Sequence, residues 1–327
     1  FFKQKTAYEI RPRDWSSDVC SSDLAESVDE VIVAVDVNAA AVTVGVVTMR
    51  GEVIDRDVAQ VDQRLQAETL FSEVLRLIDG QMERARDHHL ARAVAVGVGC
   101  EGPVTTDVEA VSPAHLPVWR DFPLRSRLAA ATSLPVFGDL DAKALALAEG
   151  WLGAAQGKDC FMAMVVGSSV AGGIVLNGQL LDGASGAAGH VGHVIVEPNG
   201  HRCSCGARGC LEAEASSVAI ATVTGRTVAE PTYDTMQRTG RMVGRAAASV
   251  CNLLDLDLVV VGGSVAEGFG ATFFNSAQEA LDEHATLRNS RGARITPSRL
   301  GDRGALVGAA AVGVRGIVRR RRASRFR

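Results

Sequence analysis

Three things are scarce in this chain. Charge of one sign is the first: 34 basic against 38 acidic residues leave a formal net charge of −4, which gives no general drive toward nucleic acid or an anionic membrane. Long apolar runs are the second. The composition is 47% hydrophobic, yet no run approaches the ~18 residues that a spanning helix needs, and no basic leader precedes an apolar stretch. A soluble, cytoplasmic protein without a membrane partner is therefore expected. Cysteine is the third. Seven thiols are few for this length and odd in number, which argues against a disulfide framework and for metal binding or core filling. What is present is enough apolar material, over 327 residues, for a sizeable core and about two domains.

Both ends read differently from the middle. The opening FFKQKTAYEIRPRDWSSDVCSSDL has no apolar periodicity and no link to the apolar strand after it. It resembles translated sequencing-adapter read-through, joined to a gene near Ala25; a native disordered tail is the alternative. Residues 1–24, Cys20 included, are set aside from fold reasoning. At the other end RGIVRRRRASRFR follows the last apolar helix, and residues 319–327 read as a solvated basic tail, a phosphate-binding patch being the alternative.

Between those ends strands and helices alternate. VIVAVDV (31–37), AVTVGVVTM (41–49) and RGEVIDRDVAQV read as three successive strands, and residues 67–90 carry helix-spaced apolar positions at Leu70, Val74, Leu77 and Ile78. AVAVGVGCEGPV (93–104) is a further strand ending in glycines. After a helical stretch the layout repeats in CFMAMVVGSSVAGGIVLNGQLL (160–181): strand, Gly-rich turn, strand, Asn-Gly turn, strand. Two such units imply a duplicated α/β fold of two lobes around a cleft. Residues 25–140 form the expected first lobe, joined by a C-terminal helix at about 304–318, and residues 141–303 the second.

One stretch does not look like ordinary folding material. GHVIVEPNGHRCSCGARGCLEA holds His193, then nine residues, Cys203, a serine, Cys205, four residues and Cys210. Three thiolates and one imidazole complete a tetrahedral, closed, structural zinc site, and Gly206 and Gly209 permit the tight turns that aim three sulfurs at one point. Free or bridged thiols are the alternative, although Cys203 and Cys205 are awkward disulfide partners.

The same residues closely resemble the signature of the ROK family (repressor, open reading frame, kinase), G-H-x(9)-C-x-C-G-x-x-G-C-x-E. The match covers Gly192, His193, Cys203, Cys205, Gly206, Gly209, Cys210 and Glu212, and similarity extends over most of residues 30–315, including SPAHLPVWRDFPL, LPVFGDLDAKALALAE, VVVGGSVAEG and RLGDRGALVGAAA. The resemblance implies an actin-like fold, two ribonuclease-H-like lobes around a cleft. It implies an ATP- and Mg²⁺-dependent kinase of a hexose or N-acetylhexosamine, or a sugar-responsive repressor carrying an added helix-turn-helix, and a homodimer or higher homo-oligomer. On the family pattern residues 193–210 scaffold a sugar pocket in which His193 and Glu212 touch the sugar. Asp141 falls on the position of the base that takes the sugar hydroxyl's proton, with Leu140 where the family has Asn; a helix N-cap is the alternative role for Asp141.

Three places depart from the pattern. The family's D-x-G-G-T phosphate loop reads DVNAAA, keeping Asp36 but placing Asn38, Ala39 and Ala40 where two glycines and a threonine belong. The second loop reads GSSVAGG, retaining Gly167, Gly172 and Gly173, with Ser168 able to replace a threonine hydroxyl. The adenosine-side Gly262 and Gly263 are kept; for each glycine turn a plain strand connection is the alternative. On the sugar side His190 replaces a glutamate, and His115 stands near a sugar-contacting asparagine of many members, with a core or surface histidine as its alternative. The leading expectation is a sugar kinase weakened at its first phosphate loop. A non-catalytic sugar-binding regulator, touching nucleic acid only through a helix-turn-helix absent from this sequence, is the second. A degraded or misassembled member is the third, since the segment after Glu212 looks short for the family.

Overall fold

The computed structural model describes residues 30–325 apart from residue 63. The expectations for residues 1–24, Cys20 and the last two residues of the tail lie outside the described residues.

The first sheet is built from β1 (Glu30–Val37), β2 (Ala41–Thr48), β3 (Val53–Gln60), β4 (Arg92–Cys100) and β5 (Val136–Leu140) in the order β3-β2-β1-β4-β5. Its first three strands are antiparallel, and β4 and β5 run parallel to β1. The second sheet repeats this wiring. It contains β6 (Phe161–Val166), β7 (Val170–Leu176), β8 (Gln179–Leu180), β9 (Leu258–Gly262) and β10 (Arg294–Pro297), in the order β10-β9-β6-β7-β8. Again a meander precedes two parallel strands. The expected two-lobe duplication is therefore present strand for strand, with every strand of the first sheet before residue 141 and every strand of the second after it. The Asn-Gly turn between β7 and β8 has positive φ at both Asn177 and Gly178, the conformation that a two-residue hairpin requires.

Burial explains the sequence patterns. Central β1 is apolar on both faces because both are covered. Val33 and Val35 face α1 (Ala67–His89), whose Leu70, Phe71, Val74, Leu77 and Ile78 are all buried, as the helical spacing implied. Ile32 and Ala34 face α8 (Gly304–Arg325) through Leu306, Ala309, Ala310 and Val314. The second sheet is likewise covered on both sides. On one side are α6 (Tyr233–Leu254) and α7 (Ser264–His284). On the other are α8 and α3 (Asp141–Leu152), whose alanines and leucines pack on Phe161, Ala163 and Val260. Helices α3 and α8 thus lie between the sheets and tie the lobes together.

Small residues let these helices approach. A Cβ on Gly173 of β7 would stand 2.6 Å from the Ala142 carbonyl oxygen of α3, and one on Gly308 of α8 would stand 2.9 Å from that of Ala144. The basic tail is corrected here: α8 does not stop near residue 318 but continues to Arg325, and Arg321 pairs with Glu30 at the start of β1 at 2.8 Å. Arginine is a good helix former, so nothing in that run ends the helix. Among the described residues no helix is long and apolar enough to cross a membrane.

The tightest backbone-to-backbone approach of the first lobe is at Gly97 of β4, where a Cβ would lie 2.0 Å from the Ala309 carbonyl oxygen of α8. Neither backbone can retreat without disturbing a sheet or a helix. Gly97→Ala is expected to destabilise the protein by about 3 kcal/mol, the upper end for overpacking, with a lowered denaturant midpoint as the measurement. An unchanged midpoint would mean that α8 does not seat on β4 as described.

Candidate functional site

Parallel strands of a sheet end together, and residues just past their carboxyl ends gather along one edge. Asp36 is the penultimate residue of β1, Glu101 follows β4, and Asp141 follows β5 as the first residue of α3. Across from them the second lobe contributes Ser168, in the turn between β6 and β7, and Glu212, in the short helix α4 (Leu211–Ala215). Glu101 joins the two sides: its Oε1 lies 2.8 Å from His115 Nδ1 and 3.5 Å from Ser168 Oγ.

The carboxylates sense one another. Burial pushes the Asp141 carboxyl up to about 7, with the charges of Asp36, Glu101 and Glu212 adding to the rise. The backbone N–H of Ala142 donates to Asp141 Oδ1 at 2.6 Å and works the other way. Asp141 does not serve as an N-cap, because the cap position is Leu140 and makes no side-chain cap bond. Asp36 is pushed up to about 6, again mainly by burial, against a hydrogen bond from Asn38 that favours its charge. Burial also raises the Glu212 carboxyl, although its Oε2 accepts the Val170 N–H at 2.6 Å. Withdrawing a carboxylate from water penalises its charged form, and like charges nearby compound the penalty.

The first turn is filled by its own side chain. Asn38 Oδ1 accepts the N–H groups of Ala40 and Ala41 at 3.0 and 3.1 Å, while Asn38 Nδ2 donates to Asp36 Oδ2 at 3.0 Å. This is the local side-chain-to-backbone bonding typical of asparagine in turns. In the second turn Ser168 reaches Glu101 across the cleft, whereas Gly172 and Gly173 do not sit in the turn at all. They lie within β7, paired with Met164 and Ala163, and there allow close approach of Val191 and of α3. Gly262 ends β9, and Gly263, at φ 100°, opens α7 at a point where a Cβ would stand 2.6 Å from the Val166 carbonyl oxygen at the end of β6. The glycine turn of β9 therefore lies against the turn of β6.

His193, Cys203, Cys205 and Cys210 do converge: their ligand atoms all lie within 4.8 Å of one another. Cys203 Sγ is 3.7 Å from His193 Nδ1, and Cys205 Sγ is 3.7 Å from Cys210 Sγ. A tetrahedral ion with bonds of about 2.3 Å to sulfur sets its ligand sulfurs about 3.8 Å apart, so the donor set fits such an ion. Gly206 and Gly209 both have positive φ, at 96° and 70°, as tight turning requires. Glu214, fully buried, accepts from His201 N and Nδ1 at 2.5 and 3.0 Å and pairs with Arg238 of α6, anchoring the loop. His190 stands beside this loop, its ring centroid 6.1 Å from that of His193, and burial lowers its affinity for a proton.

Two residues of the site are not marked by any motif. Glu101 is legible in the sequence only as a charge at the carboxyl end of an apolar strand, a position that faces a cleft in sheets of this kind. Lys143, also unassigned by the sequence, is 2% exposed on α3. Its Nζ reaches Asp139 Oδ1 at 3.0 Å, Asp182 Oδ1 at 2.9 Å and the Gly186 carbonyl at 3.1 Å. Asp139 is thereby accounted for as a lysine partner.

Comparison with known proteins bears on family and fold. The model of the ROK family matches residues 32–315. A glucokinase of Halalkalibacterium halodurans is 29% identical over 313 residues, covering 86% of this chain and 94% of the relative. The ROK hexokinase of Thermus thermophilus superposes with a TM-score of 0.75 at 29% identity, over 88% of this chain and 99% of that one. A ROK family transcriptional regulator, a homolog of the E. coli MLC protein, gives 0.75 at 25% identity, over 88% and 78%. With the match spanning both lobes, the actin-like fold and the thiol-rich loop, this chain belongs to the ROK family.

Proposed function

We infer that this protein binds a hexose or N-acetylhexosamine in the cleft and phosphorylates it from ATP and Mg²⁺, with slow turnover. The observation that carries the reading is Asp141, a carboxyl raised to about 7 at the cleft end of α3. A base is most effective when its proton affinity lies near the working pH. In the proposed step Asp141 takes the proton from a sugar hydroxyl as that oxygen attacks the γ-phosphorus, and ADP leaves with the bridging oxygen. His115, His190, His193 and Glu212 are the proposed sugar contacts. Asp36 would face the metal-bound phosphates, with Gly167 and Ser168 along the phosphate chain and Gly262 and Gly263 on the adenosine side. Gly172 and Gly173 act through packing in this reading.

Asp141→Asn is expected to lower turnover by ~10²–10⁴-fold, the usual range for a proton-transfer group. The sign of the pH dependence comes from the raised carboxyl. Unfolded Asp141 ionises near 3.8 and folded Asp141 near 7, so the folded state holds the extra proton between those values and loses stability as pH rises through them. kcat/KM should accordingly climb from pH 6 to 8 with an apparent pKa near 7. Asp141→Asn should melt higher than wild type at pH 8, with the gap closing toward pH 4. A flat kcat/KM profile over that range removes Asp141 as the base.

The four-donor loop is proposed to hold one structural zinc through His193, Cys203, Cys205 and Cys210. The ion would fix the loop beside the sugar and charge the three sulfurs. Metal analysis of purified protein should return one equivalent, and Cys205→Ala should lose it along with thermal stability; less than half an equivalent in intact wild type refutes the assignment.

The slow turnover is proposed from the first turn. Phosphoryl transfer depends mostly on positioned donors around the phosphate, and Asn38 already engages the amides of Ala40 and Ala41. Replacing Asn38, Ala39 and Ala40 by Gly, Gly and Thr is expected to raise ATP-dependent turnover about a hundredfold, roughly one such donor's worth. The gain should vanish when Asp141→Asn is added. Turnover of the unmodified protein equal to that of an efficient sugar kinase contradicts the slow-loop reading. The occupied turn also favours the second reading, a sugar-binding regulator without phosphoryl transfer. That reading gains if the triple substitution leaves turnover at zero while sugar binding is intact.

A further inference from the structure

Glu101 has no task in the proposed phosphoryl transfer, yet it is 2% exposed and sits at the centre of the cleft. Oε1 meets His115 Nδ1 and Ser168 Oγ. Among the described residues no donor reaches Oε2, which is buried. Its charge raises the proton affinity of Asp36, Asp141 and Glu212 alike, so it faces all three. A carboxylate taken out of water needs hydrogen bonds to both oxygens, and one held beside other carboxylates with an acceptor open costs stability. Residues that lower stability without a structural return are characteristic of binding and catalytic sites.

We propose that Glu101 is a specificity residue of the cleft: Oε2 accepts a hydrogen bond from a hydroxyl of the bound sugar, while Oε1 holds His115 by Nδ1. The inference rests on the sugar-binding reading above. A neutral polyol suits the place, because its hydroxyls donate to carboxylates without adding charge, whereas an anionic ligand would meet repulsion from all four. Toward His115 the residue is a positioning group. Accepting Nδ1–H fixes that tautomer and leaves Nε2 as the acceptor of the ring.

The test uses the full chain and calorimetric titration with glucose, N-acetylglucosamine and N-acetylmannosamine. Glu101→Gln keeps a carbonyl for His115 but removes the charge and puts an NH₂ where Oε2 was; Glu101→Ala removes both contacts. For whichever sugar wild type binds, Glu101→Gln should weaken binding at least tenfold while the unliganded protein melts higher than wild type. That pairing is not expected of a merely structural residue. Glu101→Ala should weaken binding further and change the ¹⁵N signature of the His115 tautomer, which Glu101→Gln should leave alone. Unchanged affinity in Glu101→Gln, or a melting temperature that falls together with affinity, overturns the proposal. Wild-type protein that binds none of the three sugars overturns the sugar reading itself, a result distinct from wild-type binding with an unaffected variant.

Discussion

Mutual repulsion among four carboxylates shapes this cleft. Asp36, Glu101 and Asp141 arrive from the carboxyl ends of neighbouring parallel strands, and Glu212 arrives from the opposite lobe. Each is there because the backbone puts it there; Glu101 makes ionisation of Asp36, Asp141 and Glu212 harder, and Asp36 and Glu212 do the same to Asp141. What offsets the cost locally is modest: one N–H from Ala142, one from Val170, the amide of Asn38 and the imidazole of His115. The site is therefore tuned to gain from hydroxyl donors and from a cation, and to gain little from an anion arriving without one.

The stability that sustains such a cleft resides in the layer between the sheets. Helices α3 and α8 are rich in alanine and glycine, so backbone meets backbone at Gly173, Gly308 and Gly97. Close packing of small residues gains dispersion over a large contact and leaves little play. Lys143 adds a polar tie in the same layer. It is fully desolvated, and a buried ammonium is tolerable only when its donors are engaged. Asp139 from the first lobe and Asp182 and Gly186 from the second engage them. The helix that carries Asp141 is thus held from both lobes two residues from its base.

Local signals carry most of this into the sequence. Strands covered on both faces show as unbroken apolar runs, which is why 31–37 and 160–166 read correctly. The buried face of α1 shows as Leu70, Val74, Leu77 and Ile78. The four-donor loop is legible because donors that converge on one point need cysteines at short spacing and glycines at turns. The failures share a cause: contacts between residues far apart in the chain leave no local pattern. Nothing in GCEGPV shows that Glu101 will meet His115 and Ser168, 14 and 67 residues away. Nothing around Lys143 shows that Asp182 awaits it. Gly172 and Gly173 follow a turn closely enough to read as part of it, and only strand pairing moves them into β7. The tail is exposed over residues 319–324, as its charge implies, but its arginines also continue the helix.

The first turn and Asp141, the proposed base, are not independent parts. Asn38 Nδ2 donates to Asp36 Oδ2 and so favours the charged form of Asp36. Charged Asp36 is in turn the largest electrostatic contribution to the raised Asp141 carboxyl. A glycine at position 38 would free the amides of Ala40 and Ala41 and would also withdraw that hydrogen bond. Asp36 would then keep its proton to higher pH, and over that interval it would repel the charge on Asp141 less. The proton affinity of Asp141 would fall, and the base would be ionised at lower pH. The first turn and the proposed base are therefore linked through one carboxylate. Asparagine at position 38 occupies the amides of the turn while helping to hold the Asp141 carboxyl near 7.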